Sequence, residues 1–113
     1  IMTALYYHNP SCSKSRQGLA LLEKNKIDFK IILYLKEMLS QKEVLTILST
    51  LIQDKSMLLR EKELKLLNIE IENIDDEALS KLIIDNPKIL QRPILVKKNK
   101  SIIGRPPELL LTI

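Results

Sequence analysis

Apolar and polar positions along the chain change rhythm three times. Thr3 to Tyr7 is a short apolar run that stops at His8-Asn9-Pro10, the pattern of a strand ended by a turn. From Ser13 to about Asn25, Leu19, Ala20 and Leu22 follow helical spacing, with Asn25 suited to stop the helix. Ile27, Phe29, Ile31, Leu33 and Leu35 then alternate with other residues, which is strand periodicity; Ile32 interrupts the polar phase, so both faces of this strand are expected to be covered. A strand, a helix of about three turns and a second strand imply a right-handed crossover with the two strands parallel.

The middle of the chain reads as helical. Ser40-Gln41-Lys42-Glu43 is a capping box, in which Ser40 and Glu43 each close the other's orphan amide. Val44, Leu45, Leu48, Leu51 and Ile52 are expected to line one side of the helix that follows. Asp54 to Asn68 predicts one or two short helices carrying Leu58, Leu59, Leu64 and Leu67. Asp75 caps a further helix whose Ala78, Leu79, Leu82 and Ile83 face inward, and Asn86-Pro87 ends it. Strand character returns at Ile94-Leu95-Val96 and Ser101-Ile102-Ile103. Only Lys97 to Lys100 separate these, with Asn99 fitted to a turn, so they predict an antiparallel hairpin. Pro106-Pro107 open a last helix, docked by Leu109, Leu110 and Ile113. The sum is an α/β chain, βαβ…ββα, around a mixed four-stranded sheet, with an all-helical insertion at about 36–88. At 113 residues it is expected to be a single domain over 1–113.

Composition narrows the function classes. Hydrophobic residues make up 45% of the chain and only four are aromatic, so the core is aliphatic. A net charge of +4 is spread along the sequence; the densest basic cluster, Lys97-Lys98-Asn99-Lys100, has no interleaved aromatics and argues against nucleic-acid binding. No apolar run reaches the length of a membrane span and no secretory signal opens the chain, so a membrane role is not expected and a cytoplasmic one is. A single cysteine excludes an intrachain disulfide and suits a reducing compartment. Any oxidised state of that cysteine must therefore be resolved by an outside thiol.

The candidate chemistry gathers in Tyr6-Tyr7-His8-Asn9-Pro10-Ser11-Cys12-Ser13-Lys14-Ser15-Arg16, which holds the only cysteine and the only histidine. A thiol at a strand-to-helix turn faces backbone N–H groups that have no partner within the helix, and the helix dipole there favours an anion. The thiolate is the attacking form of cysteine, and such a site lowers its pKa. Ser15, one turn on, is placed to donate its hydroxyl to the Cys12 sulfur, while His8 and Lys14 offer cations nearby. A loop rich in Pro and Ser, with no strongly apolar neighbour, argues against burial of Cys12. Two Arg-Pro pairs stand before predicted elements, Arg92-Pro93 and Arg105-Pro106; proline aims the side chain, and a guanidinium binds oxyanions through a planar fork whose charge is permanent. No metal site is assigned.

Taken together, these residues resemble the arsenate reductase family, of the glutaredoxin- and glutathione-dependent type with a thioredoxin-like fold. The matching blocks are Tyr7 to Arg16, Ile32-Leu33-Tyr34-Leu35, Leu58-Leu59-Arg60, Asn86-Pro87-Lys88 through Arg92-Pro93-Ile94, and Gly104-Arg105-Pro106. The resemblance implies a thioredoxin-like mixed four-stranded sheet with an inserted helical subdomain. It implies that Cys12 attacks arsenate to form a thiol–arsenic adduct, that Arg60, Arg92 and Arg105 surround the oxyanion, and that His8 and Ser15 keep the thiol ionised. Glutathione as co-substrate and glutaredoxin as partner would resolve the adduct and release arsenite, with no tightly bound cofactor. A cis proline opposite the cysteine is also implied, at Pro93. Two features depart from the pattern: Glu61 and Glu63 follow Arg60 and can pair with it, and Gly104 and Pro107 around Arg105 mark a branch in which fold and thiol chemistry transfer better than the substrate. Two other readings use the same residues. One is a glutathione-linked thiol oxidoreductase without arsenic specificity. The other is a regulatory thioredoxin-like protein that switches through Cys-x-x-Cys, where this chain has Ser15 in place of the second cysteine.

Overall fold

A computed structural model of the chain describes residues 3–113. Four strands, β1 (Ala4–Tyr7), β2 (Phe29–Ile32), β3 (Ile94–Lys97) and β4 (Lys100–Ile103), form one sheet in the order β2-β1-β3-β4. β1 and β2 are parallel, with Tyr7 opposite Ile32; β1–β3 and β3–β4 are antiparallel. Helix α1 (Ser13–Lys24) joins the first two strands as expected. Lys98 and Asn99, with φ of 50° and 62°, make the hairpin turn between β3 and β4, the left-handed pair that matches the twist of the flanking strands.

Between β2 and β3 the helices are α2 (Gln41–Thr50), α3 (Glu61–Leu66) and α4 (Asp76–Asp85), with short 3-10 turns at Lys55–Leu58 and Pro87–Ile89. The Ser40–Glu43 capping box is complete, and Asp75 accepts the Ala78 N–H at the start of α4. Strand periodicity distributes the core over two layers. Tyr7, Ile94 and Ile103 face α2, α4 and the leucines of the connecting turns. Tyr6, Leu95 and Ile102 face the other way, onto Leu22 of α1 and Leu110 of the C-terminal segment.

The structure corrects several expectations. β2 stops at Ile32 and, as an edge strand, has a neighbour on one side only; Ile31 is 39% exposed and Leu35 is 40% exposed, so the longer alternation to Leu35 does not mark a strand covered on both faces. α2 ends at Thr50, buries Ile47 together with Val44 and Leu48, and leaves Ile52 outside the helix and exposed. Leu67 and Ala78 face solvent. The last element is a 3-10 helix, Pro107–Thr112, rather than an α-helix.

β4 would be an open edge, but residues 51–53 cover it. Ile52 donates to the Ser101 carbonyl, and the Gln53 amide both accepts the Ile103 N–H (2.7 Å) and donates to the Ile103 carbonyl (3.0 Å), as a neighbouring strand would. Gly18 and Gly104 are needed for close packing. A Cβ at Gly18 would strike the Tyr6 hydroxyl and Leu110; one at Gly104 would come within 2.9 Å of Pro93 Cγ. Gly18→Ala is therefore expected to destabilise the fold by about 1–3 kcal/mol, measured as a shift in the urea midpoint at constant slope.

Candidate active site

All four strands deliver a residue to one edge of the sheet. Because β1, β2 and β4 run one way and β3 the other, the ends of β1, β2 and β4 and the start of β3 lie together. Cys12 follows β1, Tyr34 follows β2, Arg92 precedes β3 and Arg105 follows β4. The carboxyl edge of a sheet is where open α/β folds place their ligands. Both Arg92-Pro93 and Arg105-Pro106 are cis peptides; the first was expected and the second was not.

Cys12 is the N-cap of α1, and its own N–H is turned back onto the Asn9 carbonyl at 3.0 Å. Arg105 Nη2 lies 3.5 Å from its sulfur. Contrary to the expectation from its polar loop, the residue is buried, at 7% exposure. Burial raises the thiol pKa, but the Arg92 guanidinium, through contact and charge, and the N–H groups of Ser15 and Lys14 more than offset it, so the net shift is downward. The sulfur is covered in part by charged and N–H donors, which is why the buried thiol here does not have a raised pKa.

Arg105 is aimed by its neighbour. Its Nε donates to the Arg92 carbonyl at 2.8 Å, which leaves the guanidinium end free to reach Cys12. Arg60 is placed differently. It caps α3, and its Nη1 is shared at 3.2 Å between Glu63 Oε1 and the Lys88 carbonyl. Among the described residues it makes no hydrogen bond to Cys12, and its carboxylate partner is Glu63 rather than Glu61. The structure thus brings Arg92 and Arg105 to the sulfur and holds Arg60 at the rim.

His8 and Ser15 form a buried pair, with Nδ1 and Oγ 2.6 Å apart. Ser15 Oγ also accepts the Asn9 N–H at 3.0 Å. The Ser15 hydroxyl pairs with His8 Nδ1 and, among the described residues, makes no hydrogen bond to the Cys12 sulfur, so the expected hydroxyl-to-sulfur bond is not made; Ser15 acts on Cys12 through its backbone N–H. His8 is not the cation the sequence suggested. Burial, with a smaller contribution from Arg16, lowers its pKa, which keeps the imidazole neutral at pH 7. The Lys14 side chain points to solvent and its contribution is likewise the backbone N–H. Arg16 Nη1 donates to the Pro10 carbonyl at 2.9 Å and Tyr6 Oη donates to the Ser15 carbonyl at 2.6 Å, closing the loop from both sides.

Two expected outcomes follow from this pair. Ser15→Ala leaves a buried amide and a ring nitrogen without partners, at about 1–3 kcal/mol each, so its melting temperature should fall by roughly 5 °C or more. The His8 pKa is depressed in the folded state, so on acidification the unfolded chain takes up the proton first. Its contribution to stability is complete above the ordinary histidine value of about 6.5 and is lost as pH falls through the lower folded value. Comparing urea midpoints at pH 7.5 and pH 5.5 in the wild type and His8→Asn should show the larger acid loss in the wild type.

Sequence reasoning missed Tyr34 as a site residue, Gln53 as the clamp on the strand that carries Arg105, and the Arg92 carbonyl as its guide. A tyrosine two residues beyond a strand was a visible signal; the other two depend on long-range contacts.

The chain is thus a thioredoxin-like α/β protein with a lowered-pKa cysteine at a helix start, faced by arginines that precede β3 and follow β4. Comparison with known proteins agrees: the ArsC family model matches residues 7–113, and the chain belongs to that family. A protein named arsenate reductase from Haemophilus influenzae is 39% identical over 115 residues, which cover 99% of this chain and 99% of its own. A solved structure of an arsenate reductase from Vibrio cholerae superimposes with a TM-score of 0.86 at 37% identity, over 99% of this chain and 98% of that one. The regulatory protein MgsR of Bacillus subtilis also aligns, 33% identical over 96% of this chain and 87% of its own. Among the described residues no helix is long and apolar enough to cross a membrane.

Proposed function

We propose that this protein is an oxidoreductase of the reducing cytoplasm that converts arsenate to arsenite, using Cys12 as nucleophile and glutathione with glutaredoxin as reductant. The observation that carries this reading is the Cys12 sulfur at the start of α1, 3.5 Å from Arg105 Nη2 and with its pKa lowered by Arg92. The thiolate attacks arsenic, an arsenate oxygen leaves as water, and a covalent thiol–arsenic adduct forms. Arg92 and Arg105 hold the charge that builds on the remaining oxygens as the bond forms. Glutathione then adds to arsenic, and a glutaredoxin thiol removes it as a mixed disulfide. As the glutaredoxin thiolate attacks the glutathione sulfur, the arsenic–sulfur bond to glutathione breaks and its electron pair stays on arsenic, which becomes As(III); water then releases arsenite and regenerates the Cys12 thiol. Arg60, tied to Glu63, serves as a third positive charge at the rim. No tightly bound cofactor enters the cycle.

The family and its arsenate reductase members support this substrate class. The absence of a second cysteine supports an external thiol and disfavours a Cys-x-x-Cys switch. The test is arsenite production from arsenate by the purified protein with glutathione and glutaredoxin. Turnover is expected with the full mixture and not when glutaredoxin is omitted. No arsenite under any thiol donor, alongside reduction of a glutathione mixed disulfide, would establish the general thiol oxidoreductase instead.

A further inference from the structure

Among the described residues, two buried side-chain polar atoms have no hydrogen-bond partner, Tyr34 Oη and Arg92 Nε. Buried orphans are rare in folded proteins, because each has given up water and gained nothing. Here they belong to residues at the sheet edge that carries Cys12, Tyr34 just after β2 and Arg92 just before β3. The Tyr34 ring packs among the aliphatic residues of the larger core layer at 2% exposure, with Ile89, Leu90 and Ile94 around the start of β3 in the same layer. Burial raises the Tyr34 pKa, although Arg92, through charge and contact, and Arg60, through charge, both favour the ionised form of its hydroxyl. A phenylalanine would fill the same core volume without burying a hydroxyl, so packing alone does not account for tyrosine.

The two orphans are chemically complementary. Arg92 Nε–H is a donor lacking an acceptor, and a phenol oxygen accepts. Pairing them fixes the guanidinium plane and leaves its two terminal nitrogens directed at the sulfur and at an anion beside it. We propose that Tyr34 is the positioning residue for Arg92, its hydroxyl accepting the Arg92 Nε–H when an oxyanion engages the terminal guanidinium nitrogens at Cys12. The inference rests on the reading of Cys12 and Arg92 as an oxyanion site and adds the group that sets the arginine's aim.

The test is the arsenate concentration that half-protects Cys12 from alkylation by iodoacetamide, measured in wild type, Tyr34→Phe, Arg92→Lys and the double variant. Tyr34→Phe is expected to weaken protection by about five- to tenfold, the scale of one hydrogen bond to a charged group, while the melting temperature holds or rises. Lysine has no Nε–H of this kind to give, so Tyr34→Phe should have no further effect in the Arg92→Lys background. Equal protection of wild type and Tyr34→Phe would overturn the inference, as would the same fold-loss in both backgrounds. If arsenate fails to protect the wild type at all, the oxyanion reading itself falls and takes the inference with it. Protection of the wild type that is unchanged by Tyr34→Phe removes only the role of Tyr34.

Discussion

Cys12→Ser is expected to abolish arsenate reduction, leaving arsenite formation at the uncatalysed background, a loss of about 10⁴-fold or more. The physical reason is the leaving proton. The N–H groups of Ser15 and Lys14 and the Arg92 charge lower the pKa of a thiol, but a serine hydroxyl is far too weak an acid for the same surroundings to make it an alkoxide. Nothing else in the site can replace it, since His8 is neutral, buried and committed to Ser15. The substitution removes little volume and keeps Arg92 and Arg105 in place, so the variant should fold normally and still bind the oxyanion. Arsenite release measured in the coupled assay decides it; turnover retained in Cys12→Ser would mean the chemistry lies elsewhere.

Arg92→Ala is the second large effect. Its loss acts twice: the buried thiol no longer has the cation that offsets its desolvation, and the oxygens of the attacked arsenic lose a fixed positive charge. Removing a preorganised donor of this kind costs about 2.7–4 kcal/mol, or 10²–10³ in turnover. Arg105→Ala should fall in the same range for a different reason. Its Nη2 is on the sulfur, whereas its Nε merely leans on the Arg92 carbonyl, so its removal leaves Arg92 where it was. Steady-state rates in the two variants check this; normal rates in both would contradict the assigned oxyanion site. Arg60→Ala is expected to cost less, because Glu63 already neutralises part of its charge.

What the sequence made legible divides along physical lines. Local rules were sufficient where a few neighbouring residues decide the outcome: the Ser40–Glu43 box, the Asp75 cap, the Lys98-Asn99 turn, and Cys12 at the start of a helix. They failed where a distant neighbour decides. Ile31 and Ile32 point to opposite faces of β2, and which of them is buried depends on which face distant helices cover, which nothing within Ile27–Leu35 encodes. Spacing put Ser15 on the same face as Cys12 but could not reveal that the Ser15 hydroxyl pairs with His8 Nδ1. Arg92 and Arg105 stood out through their Arg-Pro pairs and Arg60 through the family resemblance; that one of them steers another through a backbone carbonyl needed the folded chain.

The Cys12 thiol has a lowered pKa because Arg92 and the first N–H groups of α1 outweigh its burial. The pH dependence of its alkylation by iodoacetamide measures this directly. The rate should rise through a midpoint below the ordinary thiol value of about 8.5, and that midpoint should move upward in Arg92→Ala. A wild-type midpoint at or above that value, unmoved by Arg92→Ala, would show a sulfur governed by burial alone and would contradict the account.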